Sequence, residues 1–523
     1  MRTAIKWSRA LVGSLMLVSV GAVALAQNLT LGTKLEVNTL DPHFFNAFAT
    51  GSSHEMLYEQ LTAFDNSGGV KPRLALSWRT VDPTTWEFKL RPGVKFHDGS
   101  PFGADDVLAT LERIPNVPNT PNSFAQFTRS IVRASKVDDL TLRFVTRDPN
   151  PTLPLDLASV FIVPARIARS ASTADFNSGK AAIGTGAYKL TEWVNGDKLV
   201  ATRNDAYWGS RAPWASVTEK VIGKDAARLA ALLSGQVDAI DEVPIADMPR
   251  LKTDARFTIA SGPMALVQYI ALDSARDSSP FVTAKDGSAL AKNPLKDARV
   301  RKALSLAIPR ALIVDRLMEG TAVAAAGPTL PGMPGSSTTL KPDPLDLPRA
   351  QALLKEAGWA DGFKITLHAT NDRYPADANI AQAVAQAWTR LGLVVAVDGL
   401  PGSVFFTRAT KQDFSAFSAQ FGIEEVGAGL RALLGGVDKE RGFGTANRVR
   451  YSNPGIDAKL VEALATLDLG ERARKLERVS EAYMADQGLI PLFHPIGDFA
   501  SRKGLLVEPR PQRRFNALMI RPQ

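Results

Sequence analysis

Histidines at positions 43, 54, 97, 368 and 494 are the residues of this 523-residue chain best suited to acid–base or metal chemistry. No two stand at the i, i+4 spacing by which a helix offers a pair of imidazoles to zinc. Cysteine is absent, which removes thiolate nucleophiles, sulfur-ligated metals and disulfides together. His97-Asp98 has the order of a base and its orienting acid, yet Asp98-Gly99 reads more simply as a turn after a strand. Gly184-Thr185-Gly186 is a fragment of a glycine loop; with no phosphate-loop lysine, nucleophile elbow or dinucleotide fingerprint, it reads as a tight backbone turn. The acid pairs Asp105-Asp106 and Glu424-Glu425 are sequence neighbours, which do not share a helix face, so neither implies a carboxylate dyad. The residue types therefore predict no catalytic set, no metal centre and no cofactor.

Composition places the chain among globular proteins, with 45% hydrophobic and 22% charged residues and enough length for two or three domains. The net charge of +9 is scattered without a run of like charges, unlike the basic stripe of a nucleic-acid binder. The start of the chain reads as an export leader. Arg2, Lys6 and Arg9 precede an apolar stretch from Ala10 to Leu25, and Ala24-Leu25-Ala26 supplies small-x-small for a signal peptidase. That stretch falls short of the about 20 apolar residues of a spanning helix. Cleavage is expected to leave Gln27 first and a net charge of +6 of the original +9. With no cysteine to lipidate, the mature protein is expected free in the periplasm, as a monomer.

The elements alternate strand and helix. Trp86, Phe88 and Leu90 alternate with polar residues, and Val94 and Phe96 resume after Pro92-Gly93, which predicts a hairpin. Val107, Leu108, Leu111 and Ile114 predict a helix that Pro115 ends, and Leu140, Leu142 and Phe144 another strand. Val217 to Ile222 and Val237 to Val243 read as strands around a helix that Asp225 caps and Gly235 closes. Asp346 and Pro348 open a helix that Gly358 closes; Ile365 and Leu367 alternate as a strand. A helix through Ile380, Val384, Trp388 and Leu391 stops at Gly392, and Leu393 to Val397 reads as a buried strand. Such an order implies an α/β fold with a largely parallel sheet.

Several segments resemble the bacterial family-5 extracellular solute-binding proteins, the dipeptide-, oligopeptide- and nickel-binding group of ABC importers. They are Tyr58-Glu59-Gln60-Leu61-Thr62, Pro72-Arg73-Leu74-Ala75-Leu76-Ser77-Trp78, the run from Trp86 to Gly99, Gly184 to Leu190, and Tyr207-Trp208-Gly209. Ala231 to Asp238, Arg299 to Leu304, Asn371-Asp372-Arg373-Tyr374-Pro375 and Ile490-Pro491-Leu492-Phe493 continue the likeness in order. The resemblance implies a periplasmic-binding-protein type II fold, with two lobes around a hinged cleft and a smaller inserted domain. Lobe I would comprise 27–60, 185–275 and 490–523, the inserted α/β domain 61–184, and lobe II 276–489. The hinge crossings would lie near 275 and 490.

The resemblance further implies capture of a short peptide or peptide-like compound by closure, and delivery to an ABC permease and ATPase complex. Peptides, opines, glutathione-like compounds and metal chelates all fall within that class of ligand. Arg373, with Tyr374 beside it, stands where relatives present an arginine to the ligand carboxylate. Where peptide binders carry a tryptophan-glycine pair and then an aspartate for the amino group, this chain has Phe421-Gly422-Ile423-Glu424-Glu425. Either glutamate could take the aspartate's place, or both could face water. A secreted hydrolase of peptide-like compounds, and a ligand sensor docking on a signalling partner, remain the alternatives.

Overall fold

The computed structural model describes residues 28–65, 69–121, 123–512 and 514–523. The expected leader lies outside the described residues. Among the described residues, no helix is long and apolar enough to cross a membrane.

One strand, Ile490–Arg502, belongs to two sheets. Its C-terminal half lies between Phe257–Pro263 and Ala239–Ile240, and beyond these run Asn28–Thr33, Ser216–Val221, Lys198–Arg203 and Tyr188–Val194. Asn28–Thr33 is parallel to both its neighbours, as βαβ crossovers require. The N-terminal half pairs with Leu266–Leu272, which leads on to Ala416–Gly422, Lys364–Thr370 and Val394–Leu400. The last three strands are mutually parallel. The fold is thus α/β with two lobes, each with its own buried core.

The chain changes lobe at two adjacent points. Pro263 still pairs with Ile496 in the first sheet, whereas Gln268 pairs with Phe493 in the second. Between them the Met264 amide donates to the Pro495 carbonyl at 2.9 Å, and His494 Nδ1 donates to the Leu266 carbonyl at 2.7 Å. The first crossing therefore comes earlier than the expected 275: Leu266–Leu272 already contributes to the cores of the second lobe.

The inserted unit is an antiparallel sheet in the order Ala75–Asp82, Thr85–Leu90, Thr141–Thr146, Ile131–Asp138, with helix Ala104–Arg113 contributing to its core. Its expected end at 184 is too late. Phe161, Val163, Ile167, Phe176 and Ala182 pack into the first lobe's core instead. The hairpin expected across Pro92-Gly93 does not form. Both edges of Thr85–Leu90 are already taken, so the chain after Gly93 has no free edge to pair with.

Other elements follow the residue pattern with small departures. Helix Leu347–Glu356 is capped by Asp346, whose carboxylate accepts from the Arg349 amide at 2.9 Å. Gly235, Gly358 and Gly392 all take positive φ after helices. Asp225 sits in the first turn of helix Asp225–Leu233 rather than at its cap, because its carboxylate is drawn to Arg228 at 2.9 Å. The strand expected over 237–243 is only Ala239–Ile240. Val394–Leu400 is a half-exposed edge strand, not a buried one, because among the described residues no strand pairs with its outer side.

Candidate functional site

Parallel strands send their following loops out of one edge of the sheet, and α/β proteins bind ligands at that edge. In the second lobe, the loops after Lys364–Thr370, Val394–Leu400 and Ala416–Gly422 share such an edge. At that edge stand Arg373 and Tyr374 on the first loop, Phe406 on helix Gly402–Thr410 after the second strand, and the segment from Phe421, at the end of the third strand, to Glu425. The sheet topology thus gathers the expected site residues from distant parts of the chain.

The Arg373 loop is held by a buried acid. Asp377 Oδ2 accepts from the Thr370 hydroxyl at 2.7 Å and from the Arg373 and Tyr374 amides at 3.1 and 3.2 Å. The Arg373 guanidinium is exposed, 4.9 Å above the Phe406 ring centroid, and its Nε donates to the Tyr374 hydroxyl at 3.3 Å. Among the described residues it forms no ion pair. Phe406 and Phe421 are half-buried against the same core cluster, so each offers one apolar face.

The neighbouring glutamates separate completely. Glu425 caps helix Val426–Leu433: its carboxylate accepts from the Gly427 and Ala428 amides at 2.9 and 2.6 Å. It also meets the buried Arg472 guanidinium at 2.8 Å. Burial works against this carboxylate, but Arg472 and the two amides outweigh it and hold its pKa below the usual range. That full set of partners makes Glu425 a fixed part of the lobe and unfits it for a ligand.

Glu424 accepts no hydrogen bond among the described residues. Burial pushes its pKa up; the Arg514 charge opposes this and Glu55 adds to it. Both of those residues belong to the other lobe, so Glu424 looks across the cleft. Glu55, on helix Phe48–Leu57, lies 3.5 Å from Arg514, 3.7 Å from Arg510 and 3.3 Å from the Asn516 amide. Gly51 allows that arrangement: a Cβ there would sit 2.2 Å from an Arg514 nitrogen.

Residues 69–427 match the family described as "Bacterial extracellular solute-binding proteins, family 5 Middle". The chain belongs to that family. It is 28% identical over 462 residues to the glutathione-binding protein GsiB of Pectobacterium atrosepticum, covering 86% of this chain and 85% of that one. Its fold is similar to HbpA2 of Haemophilus parasuis, with a TM-score of 0.81 at 21% identity over 95% and 100% of the two chains. The oligopeptide-binding protein AppA of Bacillus subtilis, solved with a nonapeptide, gives 0.72 at 22% identity over 95% and 99%.

The motifs that carry the family likeness have a structural task in this family-5 protein. Glu59 is fully buried and receives the Tyr207 hydroxyl, the Trp208 indole N–H and Arg73, each at 2.7 Å. Arg91 stacks 4.1 Å over Trp208. Gly184 and Gly186 serve close approach, since added Cβ atoms would lie 2.1 and 2.3 Å from the Leu57 and Met56 carbonyls. His97 fastens that crossing, its Nε2 donating to the Gly186 carbonyl at 3.1 Å. The other four histidine rings also donate to backbone carbonyls, and burial lowers the pKa of all five. Sequence reasoning missed Phe406, Glu55 and Arg514, which have no local pattern and gain their neighbours only in space.

Proposed function

We propose that this protein is the substrate-binding component of an ABC importer, and that it captures a short peptide or peptide-like compound bearing a carboxylate. The observation that carries this reading is Arg373: a rigidly mounted guanidinium with no acid of its own, at the ligand edge of its sheet. A guanidinium fork fits a carboxylate with two hydrogen bonds. Glu424 looks across from the same lobe toward Arg514 and Glu55, and is the acid available to a ligand amine. Closure of the lobes about the crossings at Pro263–Leu266 and Phe493–Ile496 would bury the ligand, and contacts made only in the closed state would drive it. The ligand is carried and not transformed, and passes to the membrane permease and its ATPase.

The test is mass spectrometry of ligand retained by gently purified protein, followed by calorimetry. Arg373→Ala is expected to weaken binding of the recovered ligand by about 2–5 kcal/mol, the cost of stranding a desolvated carboxylate. Amidating that carboxylate should weaken binding to the wild type and cost little more in the variant. Strict additivity of the two losses, or recovery of a chemically altered ligand, would sink the reading.

A further inference from the structure

A second arginine shares the ring on which Arg373 rests. Arg448 stacks on Phe406 with its guanidinium 5.4 Å from the centroid, against 4.9 Å for Arg373. Its loop is pinned as firmly as the first. The buried Asn447 amide donates to the Gly435 and Tyr451 carbonyls at 2.9 and 2.7 Å, and its oxygen accepts from the Tyr451 amide at 3.0 Å. Among the described residues neither arginine forms an ion pair.

Two guanidiniums on opposite sides of a solvent-facing turn would need no explanation. Here two like charges converge on a single half-buried ring, and each is mounted on a loop fixed by a buried polar side chain. Like charges drawn to one ring repel more strongly as water is excluded. An anion between or beside the guanidiniums would offset that repulsion on closure of the cleft. Two buried arginines elsewhere have an acid of the chain beside them, Arg472 with Glu425 at 2.8 Å and Arg113 with Asp41 at 2.7 Å.

Resting on the reading that Arg373 takes a ligand carboxylate, we propose that Arg448 forms a second anion subsite beside it, so that the ligand class is a small compound with two carboxylates. A ligand with one carboxylate leaves one guanidinium unanswered in the closed cleft. Arg448 is then the residue that selects for the second acid.

Matched pairs test this by calorimetry: Ala-Glu against Ala-Gln, and glutathione against its glycinamide. The wild type is expected to prefer the dicarboxylate of a pair by at least tenfold. Arg448→Gln should reduce that preference to within about twofold, while Arg373→Gln weakens both members; Arg448→Lys, which keeps a charge but loses the fork, should retain part of the preference and guards against a fold defect. Melting temperatures without ligand serve as the folding control. Equal binding of both members, still dependent on Arg373, would overturn the second subsite and leave the receptor reading intact. A preference that survives Arg448→Gln would do the same. Failure of every member to bind would overturn the dicarboxylate class, and a retained ligand without any carboxylate would overturn the reading beneath it as well.

Discussion

Two charged clusters in the second lobe make an instructive contrast. Around helix Val426–Leu433, Glu425 pairs with Arg472 at 2.8 Å, although Nε and Nη2 of that guanidinium have no hydrogen-bond partner among the described residues, and Asp156 of the inserted unit adds a further acid near Arg431 and Arg472. At the ligand edge, Arg373 and Arg448 share an aromatic ring and no acid. The first cluster holds its anions within the folded chain; the second, among the described residues, has none. Residue type does not distinguish them, since both contain arginines on short loops or helix ends. What distinguishes them is whether the partner charge is covalently part of the protein.

The largest effect that would sharpen this contrast is on stability. Glu425→Ala removes a helix cap and leaves Arg472 buried without its anion. Breaking one side of a buried pair costs about 3–5 kcal/mol, and urea unfolding of the ligand-free protein should show a loss of that order. Arg373→Ala in the same assay should fall within about 0.5 kcal/mol of wild type, as surface changes do. Comparable losses from both would erase the distinction between the clusters.

Much of the scaffold was legible beforehand, for reasons that can be named. Asp346 and Gly358 bracket a helix because a carboxylate caps free amides and glycine accepts positive φ; both signals are local. The hairpin at Pro92-Gly93 misled because the turn chemistry was sound but the strand's edges were taken by segments from either side in sequence. The site was half legible. Arg373 sits in a recognisable motif, and its loop is set by Asp377 only four residues away. Glu424 and Glu425 were indistinguishable, because which one caps the helix depends on where the helix begins. Arg448 was invisible, because its meaning lies in a ring 42 positions earlier in the chain, at Phe406.

A smaller effect concerns pH and the first cluster. Burial pushes the Asp156 carboxyl up to about 7, against the pull of Asn150, Arg431 and Arg472, with Glu425 adding to the rise. The folded state therefore holds this proton where the unfolded chain, with an ordinary aspartate near 3.8, has lost it. Stability from this group is full below about pH 4 and is lost as pH rises toward 7. Glu219, raised to about 7 by burial, drifts in the same direction. The informative quantity is thus the difference between Asp156→Asn and wild type, which should grow in the variant's favour from pH 4.5 to pH 8, by roughly 3 kcal/mol at most, given about 1.4 kcal/mol per pKa unit. A difference that is flat with pH would mean that the arginines already keep Asp156 ionised.

The smallest effect, and the one that bears on both clusters, is at Glu424. It is the neighbour of a fully satisfied glutamate, yet its own carboxylate accepts no hydrogen bond among the described residues and is disfavoured by burial and by Glu55. Removing its charge should therefore cost the ligand-free protein nothing. Glu424→Gln is expected to leave the melting temperature unchanged or to raise it slightly, by the equivalent of up to about 1 kcal/mol, since a buried charge without full pairing is unfavourable. The opposing term is Arg514, which would lose a favourable neighbour across the cleft but keeps Glu55 at 3.5 Å. Binding should respond in the other direction. If the ligand carries an amine near Glu424, affinity falls in the variant, and blocking that amine by acetylation weakens the wild type but not the variant. Thermal unfolding and calorimetry on the same samples separate the two. A variant that melts well below wild type would show that Glu424 is held by the fold, as Glu425 is, and the line between the two clusters would have to be drawn elsewhere.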